Sequence, residues 1–375
     1  MDLKKIFLKN ACPTSIGGQA IMEGIMMRGP KKTAIAVRLA DGNIHMKTQP
    51  APVPSKWGKI PVIRGVVNFV SSLVQGTKVL MYSADIIEEN YPDEYEKDKF
   101  DIWIENKFGK EKSWKILMFF SVAVAIVLSV AIFMLLPTVA VGLLSKVTDS
   151  VILLNLAEGA VRLIIFIGYI ALIARMGEIK TVFQYHGAEH KTIHCFENGL
   201  PLTPENAQQF YTLHPRCGTS FLMFVMVIAI LVHALMGWPN VWIRLISRIL
   251  VLPLIAGLSY ELLKWAGRSD NIVVKVLSLP GLYLQKLTTN EPDDKQLEVA
   301  IAALKAVLPE NDTPYFEGLC DLDGEPIKNN AAEEDDAASA ASDGNTADGD
   351  DTDEEGGCDH EPAAEGTDQL RSDPA

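Results

Sequence analysis

Residues 116–136 read ILMFFSVAVAIVLSVAIFMLL, a run of 21 residues without a charged side chain. About 20 residues of α-helix are enough to cover the ~30 Å hydrocarbon layer of a bilayer. Three further stretches have a similar length and apolar character, at 151–174, 219–238 and 241–260. The sequence therefore predicts a mainly α-helical, polytopic membrane protein with about four transmembrane helices.

The average composition conceals two different parts of the chain. The 375 residues have a formal net charge of −13 and a mean hydropathy of +0.15. After Leu308 there are 22 acidic residues and only Lys328 and Arg371 as basic ones, so this tail carries −20 and the rest of the chain +7. A basic, apolar body with an acidic tail is not the profile of an acidic soluble enzyme. We expect the tail, residues 311–375, to be disordered.

Basic residues are unevenly distributed around the apolar segments. Residues 1–115 contain 18 Lys and Arg, and further basic residues flank the loop 175–218, whereas the links 137–150 and 239–240 carry almost no charge. Basic loops of membrane proteins stay in the cytoplasm. We therefore expect a multi-pass protein of the inner (plasma) membrane whose two termini and 175–218 loop are cytoplasmic.

The chain divides into four expected regions. They are an N-terminal cytoplasmic region (1–115), a transmembrane domain that includes the loop (116–290), a C-terminal helix (291–310) and the acidic tail (311–375).

The first region has two recognisable patterns. Residues 34–39 and 44–47 flank Asp41-Gly42, a dipeptide favoured in tight turns, which predicts a small β-hairpin. Polar residues recur at helical spacing through 62–87, which predicts an amphipathic helix. This helix could lie in the membrane interface, pack under the spans or cross, and the spread of its charges favours the first two. A similar amphipathic pattern covers 262–287.

The loop between the second and third apolar segments contains the clearest candidate chemistry. His186, His190 and His194 are four residues apart, so they share one face of a helix that continues from the second segment. His186 to His190 also fits H-x-x-E-H, an inverted zinc-hydrolase motif in which the Glu activates the metal's water. Glu189 is then the candidate catalytic base.

Further along the loop, Thr203-Pro204 predicts a second helix, which ends near a His and a Cys and returns them to the membrane surface. The sequence thus predicts a divalent metal, zinc or iron, with five candidate ligands: His186, His190, His194, His214 and Cys217. Cys195 lies about 100° round the helix from His194 and is not expected to be a ligand. The alternative is a polar helix face or a stripe that meets anionic headgroups.

Two other sets of charged residues are candidates. Glu23 and Arg28 lie in a glycine-rich segment, where Glu23 is a candidate ligand or base, Arg28 a candidate anion-binding residue, and a Glu–Arg pair the structural alternative. The second set falls within the apolar segments and comprises Glu158, Arg162, His233, Arg244 and Arg248. Because buried charges are costly in a membrane, we expect Glu158 to pair with Arg248 or Arg244, and Arg162 to need a separate partner or an anionic ligand.

Several of these stretches resemble one family. The run GGQAIMEGIMMRGP (17–30), PVIRG (61–65) and the segments 185–194, 214–221 and 284–300 resemble the YqhQ-like family of bacterial membrane proteins. The resemblance covers roughly residues 10–308 and omits the acidic tail. It implies an integral membrane protein described only as a predicted metal-dependent enzyme, without a substrate.

Three classes of function remain open. The first is a membrane-bound, metal-dependent hydrolase at the cytoplasmic face, with the lipid bilayer as its environment. The second is a non-catalytic scaffold whose cytoplasmic region recruits protein partners, and the third a small transporter that uses the charged layer within the spans. A metal coordinated by four protein ligands would favour the scaffold. A metal with an open coordination position beside Glu189 would favour the enzyme. Motifs for nucleotides and nucleic acids are absent from the sequence.

Overall fold

The computed structural model describes residues 14–53, 58, 60–90, 103, 107, 109–266 and 272–327. This part of the chain is mainly helical and contains a small antiparallel sheet, as the sequence predicts. Most of the predicted acidic tail, from residue 328 onward, lies outside the described residues.

Five strands form one antiparallel sheet, and they follow one another in chain order. They are β1 (Gly17–Ile21), β2 (Gly24–Arg28), β3 (Lys32–Arg38), β4 (Ile44–Pro50) and β5 (Glu317–Cys320). The predicted hairpin is confirmed, because β3 and β4 pair with Arg38 opposite Ile44 and Gly42 in the turn has a φ of +89°. The glycine-rich segment forms a second hairpin, β1–β2, beside it.

Helices make up most of the remainder. They are α1 (Ile63–Asn90), α2 (Lys110–Val130), α3 (Leu136–Gly142), α4 (Val151–Ile173), α5 (Gly177–Glu197), α6 (Pro204–Gln208), α7 (Thr219–Ala234), α8 (Val241–Ala266), α9 (Ile272–Thr288) and α10 (Asp294–Ala306). A π-helical turn, Ala131–Leu135, joins α2 to α3. Asp293 caps α10 together with Gln296, which confirms the predicted C-terminal helix.

The sheet is covered on both faces, since successive side chains of a strand point to opposite sides. On one face, apolar side chains of β1 and β3 such as Ile21 and Val37 pack against Val79 and Ile86 of α1. On the other face, β2, β3 and β4 pack against α5 and α10 in the largest apolar core. Helix α5 therefore belongs to the sheet domain and carries the predicted His residues into it.

Three helical segments in the described part of the chain are long and apolar enough to cross a membrane. They are Phe119–Lys146, Val151–Ile173 and Val241–Trp265. Helix α7 is also apolar, but its 16 residues span only about 24 Å at the rise of an α-helix. It is short because the chain leaves the helix before Gly237 and Pro239, four residues earlier than predicted. Helix length thus supports three of the four predicted crossings.

Three predicted boundaries are wrong. The link 137–150 is helical over much of its length, because α3 and a 3-10 turn continue the first apolar segment to Lys146. Helix α5 does not continue from α4, because Met176 has an extended backbone that separates the two helices. The pattern at 262–287 is divided between the end of α8 and α9.

Glu158 on α4 connects three apolar helices. It forms a two-pronged ion pair with Arg248 of α8, in which Nη2 and Oε2 are 2.8 Å apart, and accepts a hydrogen bond from the Thr138 hydroxyl of α3 at 2.7 Å. The predicted pairing with Arg248 is confirmed. The sequence predicts that Arg162 needs a partner separate from Glu158, and it has one, but it also shares Glu158. Because Arg162 lies one turn along α4, its Nη2 is 3.1 Å from the same carboxylate.

Pro137 explains the second contact of Arg162. Proline has no backbone N–H, so the carbonyl four residues earlier, that of Phe133, loses its helical donor. The Nε of Arg162 donates to this carbonyl at 2.8 Å. His233 lies beside it, with Nδ1 3.5 Å from Arg162 Nη1, and Arg244 stacks on the Trp238 ring at 3.8 Å. The five predicted polar residues of the apolar segments are thus packed together between helices.

The amphipathic helix predicted at 62–87 is α1, and it packs against protein near both ends, while Val70, Leu73 and Val74 between them are about half exposed. Its first turns meet the end of α8, where Arg64 pairs with Glu261 and Asn68 donates to the Tyr260 hydroxyl at 2.8 Å. Its later turns cover the sheet. Within the described residues α1 is not among the segments apolar enough to cross a membrane.

The prediction of disorder is wrong for the first part of the tail, residues 311–327. Strand β5 pairs with β4 and its Glu317 forms an ion pair with Lys47 at 2.7 Å. Lys32 Nζ donates to the carbonyls of Asn311 and Thr313 at 2.5 and 2.7 Å. Composition did not reveal this order because β5 is held to the edge of β4 by backbone hydrogen bonds, which form whatever the side chains are.

Candidate metal centre

Helix α5 presents four polar side chains on one face, at steps of four, four and three residues: His186, His190, His194 and Glu197. Gly187 lets this helix come close to the chain that follows α9. A Cβ at this position would lie 2.0 Å from the carbonyl oxygen of Asn290, so no larger residue fits without a shift of the backbone. The close approach places the end of α9 directly beside His186.

The loop after α6 returns His214 and Cys217 to this face, as predicted. Thr203 caps α6 as expected, but the helix ends at Gln208 and the chain is irregular from there to the predicted ligands. Gln285 of α9, which is fully buried, holds the loop: it accepts from the His214 N–H at 2.8 Å and donates to the His214 carbonyl at 2.9 Å.

His186, His190 and Cys217 form the first donor group. Each offers one ligand atom, and these atoms all lie within 4.8 Å of one another. Cys217 Sγ is 3.2 Å from Nε2 of His186, and the Thr219 N–H donates to the same sulfur at 3.4 Å.

Backbone carbonyls determine which imidazole nitrogens of the first donor group carry a proton. Nδ1 of His186 lies 2.8 Å from the Thr288 oxygen, and Nδ1 of His190 lies 2.5 Å from the Thr212 oxygen. A carbonyl oxygen only accepts hydrogen bonds, so both Nδ1 atoms are the donors and both Nε2 atoms keep a lone pair. Nε2 of His190 is buried and has no hydrogen-bond partner among the described residues. Metal-binding histidines are commonly held in this way.

Burial favours the neutral imidazole at His190 and His214. It lowers the pKa of His190 to about 4, and it lowers the pKa of His214 to about 4 against the opposing effect of Glu197. A neutral imidazole is the form that binds a metal. At neutral pH, therefore, His190 offers its lone pair without first losing a proton.

His194, Glu197 and His214 form the second donor group, whose ligand atoms also lie within 4.8 Å of one another. The rings of His194 and His214 are 4.5 Å apart between centroids, and those of His190 and His214 are 5.6 Å apart, so the two groups are adjacent. His194 donates from Nε2 to the Leu213 carbonyl at 3.1 Å, and its Nδ1 has no hydrogen-bond partner in the described structure.

The second donor group is already engaged in an ion pair. Arg216 Nη2 lies 2.5 Å from both oxygens of Glu197, and the Thr14 N–H donates to the same carboxylate at 2.9 Å. Burial opposes ionisation of Glu197, but the nearby His214, whose Nε2 lies 3.6 Å from Oε2, the Thr14 hydrogen bond and the charge of Arg216 outweigh it and lower the pKa to about 2. The backbone N–H of Arg216 also donates to Nδ1 of His214 at 3.3 Å. These contacts favour an ion-pair network over a second metal.

Glu189 lies between the ligands on α5 but turns towards the sheet. Its Oε1 accepts a hydrogen bond from the Gly18 N–H of β1 at 2.8 Å. Burial raises the pKa of this carboxyl, although His186 and the Gly18 hydrogen bond act in the opposite direction. A buried carboxyl with a raised pKa beside candidate metal ligands is a typical proton-transfer group.

The structure does not bring Glu23 and Arg28 to the His residues. Glu23 has a φ of +47° in the β1–β2 turn, beyond the far end of β1 from Gly18, and the three strand steps from Gly18 to the end of β1 alone span roughly 10 Å. Arg28 is exposed at the other end of β2 and donates to the Pro52 carbonyl at 3.5 Å. Glu23 and Arg28 lie at opposite ends of β2, so they do not pair with each other. The alternative in which a Glu–Arg pair holds this loop is therefore not supported.

Sequence comparisons show which family the chain belongs to. A family model described as a protein of unknown function (DUF1385) matches residues 60–310. The chain is 36% identical over 308 residues to the uncharacterized protein YqhQ of Bacillus subtilis (strain 168), which covers 80% of this chain and 94% of that protein. The chain belongs to this family. No solved structure matches it.

Sequence reasoning missed several residues around the metal centre of this YqhQ-family protein. Glu197 could have been found, because it continues the helical face of the three histidines at a step of three. Gln285 and the Thr288 carbonyl could not, since they act through backbone contacts from a distant helix. Cys195 is buried away from both donor groups and its Sγ lies 3.5 Å from the Pro201 carbonyl, in agreement with the prediction that it is not a ligand.

Proposed function

We propose that this YqhQ-family protein is a membrane-bound, metal-dependent hydrolase whose site is the first donor group. The observation that supports this most directly is the arrangement of His186 and His190, which turn their proton-free Nε2 atoms towards Cys217 and each other. A buried nitrogen lone pair without a partner, such as that of His190, is costly unless something binds it.

The donor set fits a zinc or iron ion. Two neutral imidazoles and a thiolate are suitable ligands for both metals. When bound, such an ion acts as a Lewis acid and lowers the pKa of a bound water towards neutrality. The first donor group supplies three protein ligands from the described residues, and three ligands with one open position are typical of catalytic zinc, whereas structural zinc has four. This favours the enzyme over the scaffold.

In this proposal Glu189 is the group that accepts and returns a proton. It neighbours both histidine ligands in the sequence, and burial raises the pKa of its carboxyl. The Gly18 N–H holds one carboxylate oxygen, which orients the group and couples the β1 hairpin to the site. A Cβ at Gly18 would lie 2.8 Å from the backbone oxygen of Met26 and 3.0 Å from the Glu189 carboxyl carbon, so a larger residue would crowd both strand β2 and Glu189.

The membrane location also belongs to the proposal. It is supported by three helical segments long enough to cross a bilayer, and by the basic residues that flank the loop 175–218. We infer that α7, packed against α4, α8 and α9, makes a fourth and shorter crossing. The first donor group then lies at the cytoplasmic face, just before the start of α7.

The metal content of the purified, full-length protein tests the metal centre. We expect one zinc or iron ion per chain in the wild type, and loss of that ion in His190→Ala and Cys217→Ala, because each substitution removes a ligand. Cys195→Ala is the matched control, since this neighbouring thiol is buried but contacts neither donor group. Elemental analysis decides the question, and a wild-type protein that neither contains nor takes up either metal contradicts the proposal.

The role of Glu189 requires a second variant. Glu189→Gln should keep the metal but lose hydrolysis of model carboxylic and phosphoric esters by about a hundredfold or more, which is the usual effect of removing an acid–base group. The shape of the side chain is preserved, so the protein should elute as the wild type does from a sizing column. Full activity in Glu189→Gln would exclude this residue as the proton-transfer group.

A further inference from the structure

A groove of about 610 Å³ lies beside the first donor group, between α1, the first turn of α7 and the last turns of α8. This volume is in the range of small-molecule sites. Its walls are predominantly apolar, and the largest apolar lining residues are Phe69, Leu73, Leu80, Phe221, Leu222 and Leu263.

One end of the groove shares its wall with the metal centre. Thr219 lines the groove, and its hydroxyl oxygen is 3.2 Å from the Sγ of Cys217. Gln19 also lines it and directly follows Gly18, whose N–H donates to Glu189. The groove therefore ends next to the candidate ligand Cys217, and Gln19 lies one residue from the backbone N–H that contacts the candidate proton-transfer group.

The other side of the groove is open and continues an apolar surface. Leu73 is 55% exposed and Leu222 is 41% exposed, although both residues line the groove. The walls from α7 and α8 come from the ends of these helices that lie next to the 175–218 loop, and α8 is one of the segments long enough to cross a bilayer. If the helices cross, the groove opens into the lipid at the cytoplasmic boundary.

From this continuity we infer that the groove binds an acyl chain of a membrane phospholipid, with the head group at the end lined by Gly218 and Thr219, beside Cys217 of the first donor group. This inference rests on the proposed function and names its substrate class, an amphiphile with a hydrolysable ester bond near the head group. Hydrolysis consumes one water: its hydroxyl joins the acyl or phosphoryl atom, and its proton goes to the leaving oxygen. No further reactant is needed.

Photolabelling of the full-length protein tests the groove. The protein is placed in vesicles of phosphatidylethanolamine that contain a minor share of phosphatidylglycerol with a diazirine in one acyl chain. After illumination, we expect label on peptides from the first half of α1 and the start of α7. Leu73→Trp and Leu222→Trp fill the groove and should abolish this labelling. Leu231→Trp, on the same helix as Leu222 and 59% exposed, is the control and should leave it unchanged.

Two results would overturn the inference. One is labelling that spreads evenly over the exposed apolar helices and does not respond to either groove variant, which indicates ordinary surrounding lipid. The other is a protein segment found cross-linked in the groove in place of lipid. Metal content, measured on the same samples, separates this test from that of the metal centre. Groove labelling without metal contradicts the hydrolase alone, and metal without groove labelling contradicts the lipid site alone.

Discussion

His186 and His190 owe their orientation to two carbonyl oxygens that belong to other parts of the chain. The Thr288 carbonyl ends α9, and the Thr212 carbonyl lies in the loop before Cys217. Each carbonyl fixes one Nδ1–H and so leaves the opposite nitrogen ready to bind. At this scale the orientation of the two imidazoles depends on backbone atoms that a side-chain motif does not show.

Glu197 allows a test of the ion pair that supports the site. Its pKa of about 2 lies below the value of 4.5 for an ordinary Glu, which corresponds to a stabilisation on the order of 3 kcal/mol at pH 7. Because the folded-state pKa is the lower one, this stabilisation is complete above about pH 4.5 and is lost as the pH falls towards 2. Glu197→Gln should therefore lower the thermal unfolding midpoint most at pH 7, and the difference from wild type should shrink below about pH 4.5.

Glu291→Gln is the matched control for this measurement. Glu291 is also in an ion pair, with Lys191 at 2.8 Å, but the Glu291 side chain is 73% exposed, and Lys191, which is buried, keeps two hydrogen bonds to Gln208 without it. Exposed ion pairs contribute little, so we expect almost no change of the midpoint at any pH. An equal effect of the two substitutions would show that burial of Glu197 does not produce its stabilisation.

Among the helices, the contacts of Glu158 hold α3, α4 and α8 together. Its carboxylate is 1% exposed and faces two guanidinium groups, Arg162 and Arg248. Removing one member of a buried ion pair leaves an uncompensated charge, which costs about 3–5 kcal/mol. The spacing in the sequence indicated this cluster, because the residues lie at similar depth in their helices.

We therefore expect Glu158→Gln to be one of the more destabilising substitutions in the apolar segments. The measurement is the unfolding midpoint of the protein in detergent. Glu261→Gln serves for comparison, since the Arg64–Glu261 pair also joins two helices but is partly exposed, and it should cost about 1 kcal/mol or less. If Glu158→Gln is as mild as Glu261→Gln, the cluster is not what holds these helices together.

For the whole molecule, the proposed membrane crossings determine which side the first donor group faces. We expect a membrane-impermeant maleimide to label Val147→Cys and Leu235→Cys on intact cells, because both positions are highly exposed at the predicted outer ends of their helices. Leu200→Cys, in the loop with the first donor group, should react only after the cells are lysed. The unmodified chain provides the background labelling.

The same experiment examines the short helix α7. If α7 crosses, Leu235 reaches the outer surface in spite of the helix length of only 16 residues. Labelling of Leu200→Cys on intact cells would reverse the orientation, and protection of Leu235→Cys would leave three crossings, with the termini on opposite sides.

Periodic and strongly apolar patterns were the most predictable part of the fold. The apolar runs, the α1 pattern and the turn at Asp41-Gly42 depend on neighbouring residues alone, so they could be read from the chain. Strand β5 and the break at Met176 were missed, because the sequence of a short segment does not show which strand edge or helix will pack beside that segment. The same limit applies to Gln285 beside His214.

The sequence by itself determined the family, the apolar helical segments and the spacing that places His186 and His190 on one helix face. These features are local, or they lie within a single element. Only the tertiary structure decided that Cys217 completes the first donor group, that Arg216 engages Glu197 in the second, and that Glu189 turns towards Gly18. The physical reason is distance along the chain: these partners are 19 to 171 residues apart, and only packing of the sheet, α5 and α9 brings them together.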